Sequence, residues 1–408
     1  MRILYLHQYF NTPSGIGGTR SYEMARRLVA DGHEVTVVTS SARLEQDRFS
    51  SPGWYTHDIE GIHLEVMCVP YSNEMSFPER IKAFFSFALG ASWHLRNLDA
   101  DVVFATSTPL TIAVPAMFAK LWHRIPMVFE VRDLWPELPI AVGALRNPLG
   151  KLLARGLEWS AYHASAHIVA LSSGMAEGVM RRGIPPSRVT VIPNSCDLDL
   201  FNVPAENGRW VREKLGLESE QPLIVYTGAF GLINGVGYLV DVAAAMRDIA
   251  PDVSFLLVGR GAEVEKVTAQ AQELGVLNQN LWIWAPLPKA QVPDLLAAAT
   301  VATSLFIPLE PMWNNSANKF FDALASGTPL AINYGGWQAE LLEKKAAGVV
   351  LPPEDLVEAA QRLADFAHDE ERLGIAARAC RQLALGPFNR DLLYVELERV
   401  LRNVVYSE

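Results

Sequence analysis

Residues 222–237 read PLIVYTGAFGLINGVG, and the position of this stretch decides the fold. A short β-branched run closes in a Gly-rich turn and opens a helical pattern, the signature of a strand feeding a helix. It follows a polar, Pro- and Gly-bearing pause at Asn202–Gly208, which reads as a linker. Strand-like runs then recur at Ser254–Gly259, Leu281–Ala285, Val301–Ile307 and Pro329–Tyr334, with helical patterns between them. Before the pause the same alternation runs through Ile3–His7, Glu34–Ser40, Ile62–Val69, Asp101–Ser107, Pro126–Arg132, His167–Ser172 and Val189–Pro193. Helical patterns such as Thr19–Asp31 and Leu149–His163 fill those intervals.

Alternation of this kind predicts parallel, doubly wound sheets, and its restart predicts two of them. The expected architecture is α/β: two Rossmann-like domains facing each other across a deep cleft, over residues 1–202 and 203–388. A final amphipathic helix at Asn389–Val405 follows the Gly386-Pro387 break and is expected to cross back, assigning 389–408 to the first domain.

A chain of 408 residues exceeds what one core ordinarily holds, which agrees. Half the residues are apolar and a fifth charged, the composition of a globular protein. Met1-Arg2 runs straight into ILYLH, so no signal peptide is expected, and no apolar run is long enough to span a bilayer. Three separated cysteines, Cys68, Cys196 and Cys380, give neither a disulfide framework nor a metal cluster, and a reducing cytosol is expected. The net charge of −10 argues against nucleic acid as a partner. Through Val203 there are 18 Lys/Arg and 19 Asp/Glu, and beyond it 17 and 26. The first half is therefore nearly neutral and can approach an anionic surface that the second would avoid.

In open α/β sheets ligands sit beyond the carboxyl ends of the strands, and the candidate motifs fall there. After the first strand the chain reads SGIGGTRS over 14–21. Gly17 and Gly18 permit close backbone approach, and the helix start beyond offers free N–H groups to a phosphate or sugar hydroxyl with Arg20 beside it. The alternative is a plain β–α turn, and the spacing does not fit a dinucleotide fingerprint. FEVRDLWPELPIAVG over 129–143 gathers Glu130, Arg132, Asp133 and Glu137 at a strand end. Such charges line a site or else pair off, Arg132 with Asp133 or Glu137. Asp197 and Asp199 form a nominal D-x-D, but a match this short arises by chance, and no metal is expected.

In the second half, Gly228 lies in the Gly-rich loop already quoted, and Arg260 stands between Gly259 and Gly261. NNSANKFFDALASG over 314–327 puts Lys319 and Asp322 three apart at a helix start, on one face. A cation with a helix dipole suits a diphosphate, and a carboxylate one turn on suits a ribose diol. The alternative is an internal Lys319–Asp322 pair. Finally, MSFPERIKAFFSFALGASWHLRN over 75–97 mixes Phe77, Phe84, Phe85 and Trp93 with Arg80, Lys82 and Arg96. It reads either as a core helix or as an interfacial one that docks on a membrane surface.

With these motifs in view, the chain resembles the retaining glycosyltransferases of family 4, which have the GT-B fold, and within them the branch that builds bacterial surface polysaccharides such as O-antigen and colanic acid. The resemblance rests on ILYLHQYF (3–10) with its Gly loop, RDLWPELP (132–139), VIPNSCDLDLF (191–201), LLVGRG (256–261) and NKFFDALASGTPLAINYGGWQAELLEKKAAGVVLPPED (318–355). It implies transfer of a hexosyl or N-acetylhexosaminyl group from a nucleotide sugar, UDP-linked, to a glycan acceptor carried on a lipid diphosphate, with no cofactor and no metal. It places the donor on Gly17, Gly18, Arg20, Gly228, Arg260, Glu310, Asn314, Asn318, Lys319 and Asp322, and the acceptor chemistry on Arg132, Asp133 and Glu137. It also implies a cytoplasmic enzyme, peripheral on the inner membrane face, which docks through residues 75–97.

Three positions depart from the family pattern. Of two carboxylates eight apart, Asp322 fills the second place but Asn314 the first, with Glu310-Pro311 displaced upstream. Ala229 and Asn234 stand where many members carry Arg and Lys for the diphosphate. Arg132 stands where many have His. Two alternatives follow: a UDP-sugar 2-epimerase of the same fold, or a catalytically silent binding subunit.

Overall fold

The computed structural model describes residues 1–15, 17–44, 49, 51–71 and 75–406. The chain divides into two compact units, Met1–Pro193 with Asp391–Glu408, and Asn194–Arg390. Each is an α/β domain around its own sheet.

The first unit holds eight strands: β1 (Arg2–Leu6), β2 (Glu34–Ser40), β3 (Trp54–Ile59), β4 (Ile62–Met67), β5 (Val102–Thr106), β6 (Met127–Val131), β7 (His167–Ala170) and β8 (Val189–Val191), ordered β3-β4-β2-β1-β5-β6-β7-β8. All neighbours are parallel except β3 and β4. Strands β5 and β6 are buried throughout, which is why they read as unbroken apolar runs rather than alternating ones. The edge strand β3 escaped the sequence reading. Its WYTHDI mixes polar and aromatic residues and is half-exposed, and a Glu60-Gly61 turn with positive φ at both residues closes a tight hairpin.

Helices α1 (Arg20–Ala30), α2 (Phe77–His94), α3 (Ala113–His123), α4 (Glu137–Ala141), α5 (Pro148–Ala164) and α6 (Ser173–Met180) follow in chain order. Local chemistry starts them: Ser76 and Glu79 close a capping box on α2, and Asn147 caps α5 ahead of Pro148. One core lies where α2, α3, α5 and α6 meet the sheet. The other includes α1 and the C-terminal helix Arg390–Tyr406. Leu393, Leu397 and Leu401 bury there, Tyr394 donates to Asp31 at 2.6 Å, and Arg27 pairs with Asp391 at 2.7 Å.

The second unit holds β9 (Leu223–Ala229), β10 (Ser254–Arg260), β11 (Leu281–Trp284), β12 (Val301–Ser304), β13 (Leu330–Ile332) and β14 (Gly348–Val350), all parallel, ordered β11-β10-β9-β12-β13-β14. Strand β14 is three residues long, too short for its pattern to show in sequence. The stretch Asn202–Gly208, read as a linker, lies inside this unit: the boundary falls at Pro193 and Asn194. A methyl on Gly208 would lie 2.4 Å from Ala298 N, and Asn207 donates to Asp294 at 3.0 Å. Pro and Gly here serve close packing rather than a hinge.

Candidate active site

The carboxyl ends of β9 and β10 are built for close approach. Gly228, next to last in β9, lies under Lys319: a Cβ there would lie 3.1 Å from Lys319 Cε, 3.2 Å from Nζ and 3.2 Å from the Tyr226 hydroxyl. Gly259 runs alongside, where a Cβ would fall 1.8 Å from Gly228 O. Gly259 admits only glycine, and a side chain at Gly228 would have to displace Lys319 or Tyr226.

Lys319, on the first turn of helix Asn318–Ser326, extends into this space. Its Nζ donates to Tyr226 Oη at 3.0 Å and lies 4.5 Å from that ring's centroid. Asn234, with its amide oriented to satisfy both neighbours, donates to Ala229 O at 3.0 Å and accepts from Lys319 Nζ at 3.2 Å. No carboxylate pairs with Lys319 among the described residues, and burial pulls its ammonium down to about 7. Position 234 is one at which the family pattern has a lysine, so here a cation from another element arrives at the same place.

Asp322, one turn on, does not pair with Lys319. Lys289 Nζ lies 2.6 Å from each of its carboxylate oxygens, and the lysine also lies 4.8 Å from the centroid of the Phe201 ring. Sequence reasoning missed Lys289, since nothing in its neighbourhood signals that a lysine there is buried. Arg260 sits exposed at the end of β10, opposite Ala229 in the register. Glu310 is exposed and Asn314 half-buried on a 3-10 turn spanning Glu310–Asn314, and Asn318 is half-buried at the start of its helix.

In the first unit the loop after β1 gathers polar groups. Gly17 has φ of +116°, and a Cβ on Gly15 would meet Asn11 Oδ1 at 2.1 Å; Ile16, within that loop, lies outside the described residues. Gly18 directly precedes Thr19 and α1. Arg20 corrects the sequence reading. It is buried, its Nε and Nη2 donate to Glu130 at 3.0 and 2.8 Å, and Nη1 and Nη2 donate to the carbonyls of Pro193 and Ile192 at 2.6 and 3.0 Å. A guanidinium so engaged ties α1, β6 and the chain after β8 together and is not free for a phosphate. Burial opposes ionisation of Glu130, but Arg20 and Arg132 together with hydrogen bonds from Arg20 and Thr106 outweigh it and hold its carboxyl low.

Asp133 and Arg132 sit together beyond β6. Asp133 accepts from Thr108 Oγ1 at 2.7 Å. Burial raises its carboxyl, opposed by that hydrogen bond and by the charge of Arg132. Arg132 Nη1 lies 3.4 Å from His7 Nε2, and His7 is held neutral well below its usual range by burial and by that same charge. Arg132 forms neither of the ion pairs considered for it. Glu137 pairs instead with Arg182 at 3.0 Å, and Arg182 also reaches Glu158 at 3.1 Å.

The nominal D-x-D does not act as a pair. Asp197 is buried against Arg390 at 3.4 Å, while Asp199 is exposed, and no metal-binding cluster occurs among the described residues. Helix α2 separates Phe84 from Phe85: Phe84 is buried and Phe85 half-exposed, because adjacent residues lie about 100° apart around a helix. The Phe77 side chain lies outside the described residues. No described helix is long and apolar enough to cross a membrane.

Residues 17–200 match the Glycosyltransferase Family 4 domain and residues 210–382 the Glycosyl transferases group 1 domain. A D-inositol 3-phosphate glycosyltransferase of Xylanimonas cellulosilytica is 27% identical over 381 residues, 89% of this chain and 86% of that one. A putative colanic acid biosynthesis glycosyl transferase, WcaI of Escherichia coli, is 26% identical over 69% of this chain and 71% of its own. An Escherichia coli UDP-Gal:alpha-D-GlcNAc-diphosphoundecaprenol alpha-1,3-galactosyltransferase is 23% identical over 59% of this chain and 60% of its own. Some relatives are thus spanned for little more than half their length, 57% in one case. Among solved structures, Anabaena HepE in complex with UDP and glucose superposes with a TM-score of 0.74 at 19% identity, over 99% of this chain and all of that one.

Proposed function

Because the chain belongs to the family 4 glycosyltransferases, of GT-B fold, we propose that it is a retaining enzyme moving a sugar from a UDP-sugar to a glycan carried on a lipid diphosphate, in surface-polysaccharide synthesis. One observation carries the donor assignment. Among the described residues Lys319 has no carboxylate partner, and it lies above Gly228 at the first turn of a helix, where a bound anion would hold it charged and meet a helix dipole as well. Arg260 adds a second, exposed cation at the next strand end, and Asp322, steadied by Lys289, is aimed at the ribose diol. The names of the HepE complex and of the two Escherichia coli relatives support UDP and the polysaccharide context.

As the donor's anomeric C–O bond breaks, negative charge moves onto the diphosphate. Lys319 and the helix N-terminus stabilise it in place, the electrostatic contribution that most lowers such barriers. The acceptor hydroxyl oxygen forms the new bond on the face the diphosphate leaves, preserving configuration, and its proton passes to the departing diphosphate oxygen. Asp133, its carboxyl held by Thr108 and beside the charge of Arg132, orients the acceptor. The acceptor places the enzyme at a membrane surface, where stretch 75–97 attaches it peripherally.

Incubation with UDP-sugars, with and without a lipid-diphosphate-linked acceptor, tests this. UDP release that requires acceptor, with the anomeric configuration kept in the product, is expected. Epimerised sugar without acceptor, transfer to inositol phosphate instead, or binding without turnover would each replace the reading.

A further inference from the structure

The helices that cover one face of the first sheet are apolar on their outer side as well as their inner one. On α2, Ala83, Phe84, Phe87, Ala88 and Ala91 pack inward, while Phe85, Leu89 and Trp93, four residues apart and on one stripe, are 50%, 65% and 69% exposed. On α3 the inward residues are Ala113, Pro115, Ala116 and Ala119, and Leu121 and Trp122 face out. On α5, Leu149, Leu152, Leu153 and Trp159 face out. Nine of the nineteen exposed large apolar residues among the described ones lie on these three helices, so the exposure is concentrated. A helix facing water is polar on its outer side.

The helices are also joined to one another. His123 of α3 bonds Leu95 O, just past α2, at 2.7 Å; Arg96 stacks 3.7 Å from the centroid of Trp93 and 4.8 Å from that of Trp122; Lys120 of α3 donates to Ala164 O at the end of α5. The exposed charges on these helices are mostly positive. Lys82, Arg124 and Arg155 are exposed. Of the acidic residues on these helices, Glu158 is buried with Arg182 and Glu79 is used in its own helix cap.

We propose that the α2–α3–α5 face seats this protein on an anionic phospholipid bilayer, with the Trp, Phe and Leu side chains at the acyl boundary and Lys82, Arg124 and Arg155 among the headgroups. The occupant follows from charge complementarity: an aromatic and leucine surface edged by exposed cations matches an anionic interface. The proposal deepens the membrane reading above by adding α3 and α5 to α2, and it rests on that reading only for its biological purpose.

The test uses the full chain with vesicles of phosphatidylglycerol and phosphatidylcholine, against phosphatidylcholine alone, in a flotation assay. Wild type should float with the anionic vesicles and be released by salt. Leu152→Ser with Leu153→Ser on α5, and separately Trp122→Ser on α3, should each weaken that partitioning tenfold or more while leaving the melting temperature and transfer to a soluble acceptor analogue unchanged. Full binding by the α5 and α3 variants, with loss confined to a Phe85→Ser, Trp93→Ser variant, would reduce the surface to α2 and overturn the proposal. So would a wild-type dimer that the same substitutions dissociate without any vesicle binding. Should the enzyme bind vesicles through this face yet prove to use only a soluble acceptor, the docking surface stands and the acceptor reading fails.

Discussion

Lys289 grips Asp322 by both carboxylate oxygens, at 2.6 Å each, in a spot where the lysine side chain is 9% and the aspartate 15% exposed. The two residues come from different elements, the turn before helix Val292–Ala298 and helix Asn318–Ser326. Such a contact fixes the carboxylate's direction before any donor arrives, and Lys289 is therefore a positioning residue. Removing one member of a buried pair typically costs about 3–5 kcal/mol, and Lys289→Met should fall at the lower end because Asp322 retains some exposure. In chemical denaturation the double variant with Asp322→Asn should lose less than the sum of the two singles. Donor KM should rise in Lys289→Met with kcat less affected; equal loss of both would place Lys289 in the chemical step instead.

Lys319 makes a pH prediction. Its ammonium is pushed by burial from 10.5 to about 7. Between those two values the unfolded chain binds more protons than the folded one, so stability rises with pH across that window, and the penalty is complete below about pH 7. Lys319→Met should therefore melt higher than wild type at pH 6, by a margin that shrinks toward pH 9, while losing UDP binding. In wild type, UDP should bind with proton uptake above pH 7, read by calorimetry in buffers of different ionisation enthalpy. A melting difference independent of pH would sink the assignment.

Asp133 should show itself through Thr108. The hydroxyl's hydrogen bond works against the burial that raises this carboxyl. Thr108→Val should raise the carboxyl further and move the acid limb of the kcat profile to higher pH. Asp133→Asn should lose most of kcat with donor binding intact. An unmoved acid limb would remove Asp133 from the reaction.

Arg20→Met tests a structural role against a binding one. It strands Glu130, fully buried, with Thr106 as its remaining side-chain hydrogen bond. A loss of about 3–5 kcal/mol is expected, with donor affinity of the folded fraction unchanged. Weaker UDP binding in a stable variant would return Arg20 to the donor site.

Metal independence is the fifth expectation. Asp199→Ala should remain active and stable. Asp197→Ala should lose stability, about 1–3 kcal/mol, because Asp197 faces the buried Arg390 at 3.4 Å. Activity should survive EDTA; abolition by EDTA with rescue by manganese would overturn the metal-free mechanism.

The sequence by itself determined the two parallel sheets, because strands buried on both faces must read as apolar runs, and Val102–Thr106 and Leu223–Tyr226 do. It also singled out Gly228 and Lys319, since a Gly-rich strand end and a basic helix start are local patterns. Only the tertiary structure decided the partners. Lys289 lies 33 residues from Asp322, Arg20 lies 110 from Glu130, and Arg182 lies 45 from Glu137, and no local pattern encodes which distant charge a side chain will meet. The same holds for α2: its composition announced an amphipathic helix, but which phenylalanine faces water depends on how the helix rotates against the sheet, and that is set by the packing of alanines from three helices onto one core.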